Sequence, residues 1–211
     1  MLSAHPFELT VYLSEKFPSV TLDGGLFYCW PLGIRFELGL EGYRERSTRL
    51  YETLFSPEDT CVVIAKDRPD NISAAERQRY FQLFSLPGAF DSNNPLRLQS
   101  LESGKLEAGE QQESILRWAP LPARSFRYGA IFDGIANTDH AKTPSVSSRV
   151  YFLNPATDVI VHMYDDRGLD VIAASREVLI PLYQTFNDWI LDFDRERIDK
   201  ALSAGGTKSQ V

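Results

Sequence analysis

The segment from Arg149 to Ala174 constrains the fold more than any other part of the chain. It reads RVYFLN, then a turn, DVIVHMY, then a second turn, and LDVIAA. Each run is short, rich in β-branched and aromatic residues, and bounded by turn formers, with Asn154-Pro155 opening the first connection. Three such runs joined by tight connections predict an antiparallel meander, because parallel strands would need crossovers of a dozen residues or more.

Around the meander the pattern alternates between helix and strand. GIRFEL places Ile34, Phe36 and Leu38 on one side of a strand, with Arg35 and Glu37 on the other. Tyr43, Ser47, Leu50, Tyr51, Leu54 and Phe55 recur at helical spacing. CVVIAK, residues 61–66, predicts a central strand, and ILRWAPL, ended by Pro120 and Pro122, another. The N-terminal FELTVYLSEKF fits a helix or a strand, and helix is the reading taken. Ser73-x-x-Glu76 has the form of a capping box opening a further helix. Residues 87–109 turn to Ser, Asn, Gly and charge, and are expected to be mostly loop. FRYGAIFDGIANTDH predicts a helix despite its two glycines. From Ser175 helical spacing runs through Leu179, Leu182, Phe186, Ile190 and Phe193, with Pro181 expected to start or kink it. The expected class is α+β, a single domain over residues 1–202 with a mainly antiparallel sheet packed by helices, and a disordered tail at 203–211.

Composition narrows the function classes. With 43% hydrophobic residues, the 211-residue chain has the material for one substantial core. A net charge of −7 disfavours a grip on phosphate backbones, so nucleic acid is not expected as a partner. The two cysteines, Cys29 and Cys61, sit in apolar company and read as buried free thiols. No basic-then-apolar leader is legible and no apolar run approaches the length of a membrane span, so the expectation is a cytoplasmic protein with no membrane contact.

Chemistry concentrates in two acidic stretches. In YDDRGLD, Asp165 and Gly168 suit a hairpin turn, with Gly168 expected in the left-handed region. Asp166, Arg167 and Asp170 exceed what a turn needs. Asp165, Asp166 and Asp170 are candidate oxygen ligands for Mg²⁺ or Ca²⁺, although Arg167 intrudes with a competing charge. The favoured reading buries Arg167 as a bridge between acidic residues and the core. In WILDFDRERID, a continuous helix would align Asp192, Glu196 and Asp199 and let Arg195 reach both aspartates. His5, His140 and His162 lack metal-ligand spacing, and His162 reads as a core or interface histidine. Nucleophile elbow, phosphate-cradling loop and Cys-x-x-Cys are all missing, and no cofactor is expected.

Five stretches carry a resemblance. GIRFELG (33–39), LYETLF (50–55), RVYFLN (149–154), HMYDDRGLDVIA (162–173) and NDWILDFDRERID (187–199) resemble a family of bacterial proteins catalogued only as a domain of unknown function. The resemblance brings no activity with it. It implies bacterial origin and a single domain, and directs attention to Arg35, Glu37, Asp165, Asp166, Arg167, Asp170, Trp189, Asp192, Asp194 and Arg195.

Together these residues suggest one polar cluster drawn from the hairpin turn, the Arg35 strand and the C-terminal helix, either a buried staple or a pocket. The functional expectation is a non-catalytic module that binds a protein partner, with an immunity or antitoxin-like role as one form of it. The alternatives are a metal-assisted hydrolase, of phosphoester type, using Asp165, Asp166 and Asp170, and a small anionic-ligand binder using Arg35 and Arg167.

Overall fold

The computed structural model describes residues 7–67, 97–102 and 113–203. Seven strands are found among them: β1 (Gly33–Glu37), β2 (Thr60–Asp67), β3 (Arg97–Glu102), β4 (Glu113–Pro122), β5 (Arg149–Asn154), β6 (Val159–Met163) and β7 (Gly168–Ala173). They form one sheet in the order β1-β7-β6-β5-β2-β4-β3, and every neighbouring pair is antiparallel. The meander β5-β6-β7 lies within it between β1 and β2, antiparallel as the sequence pattern requires. Among the described residues five helices accompany it: α1 (Leu9–Lys16), α2 (Tyr43–Leu54), α3 (Tyr128–Asp139), α4 (Arg176–Thr185) and α5 (Arg195–Leu202). The fold class is α+β.

Alternation along the strands splits the core into two layers. Ile34, Phe36, Val63, Phe152, Val161, Leu169 and Val171 pack beneath residues of α2, α3, α4 and α5. Val62, Ile64, Trp118, Tyr151, Leu153, Ile160 and Ile172 face the other way, against Leu9 of α1 and Phe17, Leu22 and Leu26 of the irregular segment that follows it. Both faces of the sheet are therefore covered, which explains why β5, β6 and β7 read as near-continuous apolar runs. The side of β1 that carries Arg35 is consequently a second interior.

The segment at 23–30 has no regular structure, so its backbone groups need partners from elsewhere. Asp170 accepts the Phe27 N–H at 3.1 Å, and Arg197 of α5 donates to the carbonyls of Phe27 (3.1 Å) and Trp30 (3.0 Å). Trp30 Nε1 donates to the Ala173 carbonyl at 2.7 Å. Tyr12 and Lys16 of α1 both hold Asp158 in the β5–β6 turn.

Three expectations are corrected. Residues 97–102, inside the stretch expected to be loop, form edge strand β3 on β4; an edge strand takes its order from backbone pairing and needs little apolar patterning. The C-terminal region is two helices separated by 3₁₀ turns at Asn187–Trp189 and Asp192–Asp194. The chain leaves the helix there because its backbone closes the outer edge of β1: Phe36 bridges Ile190, and Leu191 N–H donates to the Arg35 carbonyl at 2.9 Å. Pro181 does not start α4 but lies inside it. The capping-box helix expected from Ser73 lies outside the described residues.

Candidate functional site

The YDDRGLD stretch resolves into separate contacts. Asp165 Oδ1 accepts the N–H groups of Arg167 and Gly168, both at 2.9 Å, which is the turn-capping role of aspartate. Its other oxygen takes the Arg167 guanidinium at 2.7 Å, and the Arg167 side chain is 72% exposed. The expectation that Arg167 is a buried bridge is thus overturned, because a partner two residues away satisfies it on the surface. Gly168 has no positive φ either. Glycine suits the position for another reason: a Cβ would collide with the Tyr164 side chain, whose hydroxyl end folds back over the turn.

Asp166 points elsewhere. Its carboxylate is buried and meets His140 Nε2, at the end of α3, at 2.7 Å. Asp165, Asp166 and Asp170 therefore each serve a different partner. Among the described residues no group of three His, Cys, Asp or Glu side chains could hold a metal ion.

A convergent cluster forms around Asp170. The β1–β7 register sets Arg35 opposite Asp170, and the β6–β7 register sets His162 on its other side. Arg35 Nε donates to Asp170 Oδ1 at 2.9 Å and Nη2 to Oδ2 at 3.3 Å, a two-pronged pairing onto a carboxylate with no exposed surface. Gly25 closes over this pair, and a Cβ there would lie 2.9 Å from Arg35 Nη2. Burial works against the Arg35 charge, but the Asp170 hydrogen bonds and charge outweigh it and hold the guanidinium firmly protonated. His162 is buried, its Nδ1 2.8 Å from the Val150 carbonyl and its ring stacked on Tyr151 at 4.2 Å. Burial pushes its pKa down to about 4, so it is a neutral core histidine.

Asp194 joins the cluster from the second 3₁₀ turn. Its Oδ1 accepts the Tyr28 hydroxyl at 2.9 Å, while Oδ2 lies 3.5 Å from Arg35 Nη1. That separation is too long for a good hydrogen bond, and Oδ2 is buried with no hydrogen-bond donor. Aromatic rings stand over the Arg35 charge. The Arg35 guanidinium lies 4.6 Å from the Tyr28 ring and 5.4 Å from the Tyr164 ring, and Phe193 precedes Asp194 in the chain. All three reach the surface, at 55% exposure for Tyr28, 37% for Tyr164 and 86% for Phe193. The Asp194 hydrogen bond raises the Tyr28 pKa, and burial raises that of Tyr164 to about 12.

The remaining sequence candidates are scattered. Glu37 is exposed on β1. Trp189 stacks on Phe186 at 4.7 Å and lies under Arg46 and Arg49 on the opposite side of the sheet's β1 edge. Arg195 reaches Asp192 at 3.1 Å but not Asp199, which instead accepts the Tyr183 hydroxyl at 2.8 Å; the break in the helix separates the two aspartates. Sequence reasoning missed Tyr28, Tyr164, His140 and Phe193. Of these only Phe193 left a mark, as an aromatic between two aspartates in a polar stretch. It also missed a groove of about 470 Å³ between α2 and the β4–α3 connection, lined by Tyr51, Phe55, Tyr128 and Arg124 among others.

The architecture is thus an α+β protein whose fully antiparallel sheet carries a buried ion network and an aromatic rim at its β1 edge. The chain belongs to the family described as domain of unknown function DUF3885, which matches residues 9–194. It is also similar to the uncharacterized protein YnaE of Bacillus subtilis (strain 168), at 23% identity over 210 residues, spanning 86% of this chain and 96% of YnaE. No solved structure matches. No helix among the described residues is long and apolar enough to cross a membrane.

Proposed function

We propose that the chain is a bacterial, cytoplasmic, non-catalytic module that binds another protein through the surface around Tyr28 and Phe193. The observation that carries this is the exposure of Tyr28 and Tyr164 over the Arg35 guanidinium, with the exposed Phe193 next in the chain to Asp194 of the same ion network. Large aromatics left in solvent are costly unless a partner covers them, and interfaces are anchored by such rings in the company of arginine. Arg35, itself held by Asp170, lies against the Tyr28 and Tyr164 rings, so little ordering of these two is left to be done on association. A net charge of −7 suits steering towards a basic partner, which is the setting of immunity and antitoxin proteins.

The two alternatives find less support. A hydrolase built on Asp165, Asp166 and Asp170 would need them on one ion, whereas Arg167 and the turn amides, His140 and Arg35 take them up separately. An anion site at Arg35 and Arg167 would compete with the carboxylates that both already hold. The test uses the whole chain as bait in a bacterial extract, beside Phe193→Ala on the proposed face and Val11→Ala on α1. A partner retained by wild type and Val11→Ala but lost from Phe193→Ala supports the reading. Equal retention by all three sinks it.

A further inference from the structure

On the side of the sheet covered by α2, away from Tyr28, we propose a binding site for a small phosphate-bearing ligand at Arg46, Arg49 and Trp189. Arg46 and Arg49 stand at i and i+3 on α2, and both guanidiniums reach the same ring, 5.3 Å and 5.4 Å from the Trp189 centre. Neither charge is neutralised. Arg46 spends one N–H on the Glu37 carbonyl at 2.7 Å and pairs with no carboxylate among the described residues. Arg49 donates no hydrogen bond among them. Its nearest carboxylate is Glu45, 3.9 Å away and 75% exposed, too far for a hydrogen bond. Neighbouring arginines are treated differently: Arg44 is held by Asp133, Arg35 by Asp170, Arg167 by Asp165 and Arg195 by Asp192.

Two like charges drawn to one ring without a counter-ion repel, so the arrangement gains from an anion that bridges them. It is also held ready for one. Trp189 stacks on the buried Phe186 at 4.7 Å, the Glu37 carbonyl fixes Arg46, and the Arg49 side chain, 54% exposed, stays open to solvent. A guanidinium beside an aromatic ring keeps donors in its own plane, and those donors match the oxygens of a phosphate. A phosphate monoester brings about two negative charges and three acceptor oxygens, enough to serve two guanidiniums. A carboxylate brings one charge and suits a single fork. The exposed Glu37, Glu41, Glu45 and Asp188 flank these residues in the chain. They disfavour a polyanion, which needs a continuous basic surface, and leave room only for a solitary phosphate group.

The probe is inorganic phosphate, titrated into the full-length protein at constant ionic strength with acetate as control. The readout is the NMR signals of the Arg46 and Arg49 Nε–H groups and the Trp189 indole N–H. Saturable shifts of these groups with phosphate, at a Kd on the order of 1 mM, are expected, with acetate binding roughly tenfold more weakly or less. Arg49→Gln, at an exposed position that leaves the core untouched, should weaken phosphate binding roughly tenfold. Arg46→Gln should weaken it comparably. Arg167→Ala removes an exposed arginine that has its own carboxylate, and should leave the affinity unchanged. The proposal is overturned by shifts that map elsewhere or never saturate, by an equal response to acetate, or by wild-type affinity in Arg49→Gln. Either outcome is independent of the protein-binding reading, because the site shares no residue with the face around Tyr28 and Phe193.

Discussion

Arg35 and Asp170 face each other across the β1–β7 ladder, with Arg35 Nε 2.9 Å from Asp170 Oδ1. The pair joins an edge strand to the meander and, through the Asp170 bond to Phe27 N–H, pins the irregular segment over the sheet. Removing the cation strands a carboxylate with no exposed surface. Arg35→Met should therefore cost about 3–5 kcal/mol in urea unfolding. Arg167→Ala, which removes only a surface pair, should leave the urea midpoint unchanged.

His162 gives stability a pH dependence of definite sign. Its pKa in the folded protein is about 4, against an ordinary value of 6.5. Between those values the unfolded chain binds a proton that the folded chain refuses, so stability falls as pH drops from 6.5 towards 4. The full loss is on the order of 3 kcal/mol. Asp158, whose pKa is lowered by Lys16 and Tyr12 against the effect of burial, loses its contribution only below the ordinary carboxylate range and does not blur this window. Urea unfolding at several pH values should show the slope in wild type and a flatter one in His162→Phe.

The β6–β7 turn offers a test by rescue. Gly168→Ala puts a methyl group where the Tyr164 hydroxyl lies, and the ring must leave. The substitution should cost roughly 1–3 kcal/mol. In a Tyr164→Ala background the cost should largely vanish, because the clash is gone and the backbone there is unstrained. A cost of the same size in both backgrounds would point to the backbone instead.

His140 is the partner by which the buried Asp166 carboxylate is joined to α3. His140→Ala should destabilise by about 1–3 kcal/mol, the range for a buried polar group left without a partner. Thermal or urea unfolding measures it directly.

The sheet was legible because its information is local. RVYFLN, VIVHM and GLDVIA declare strands through β-branched residues and short turns, and α2 and α3 declare themselves through spacing. Arg35, Asp170 and Asp194 were singled out in the sequence only within a larger set of charged residues expected to form one polar cluster with Arg167 and the C-terminal helix. Which charges would meet was not legible. Asp166 and Asp170 are four residues apart in one stretch, yet one pairs with His140 and the other with Arg35, a choice made by strand register and long-range packing. The break at 186–194 was hidden for the same reason. Phe186 and Ile190 keep helical spacing, and only the unpaired edge of β1 draws the backbone out of the helix. Tyr28 gave no signal because the segment that carries it is shaped by side chains from β7 and α5 rather than by its own pattern.

The central claim, that the face around Tyr28 and Phe193 is where a partner sits, is tested most directly by hydrogen–deuterium exchange on the chain alone and in complex with the captured protein. Slowed exchange within residues 26–30, 163–168 and 190–195, with α1 and the groove beside Tyr128 unchanged, is the expected result. Protection confined to α1 or to the groove, with the three segments unaltered, would contradict it.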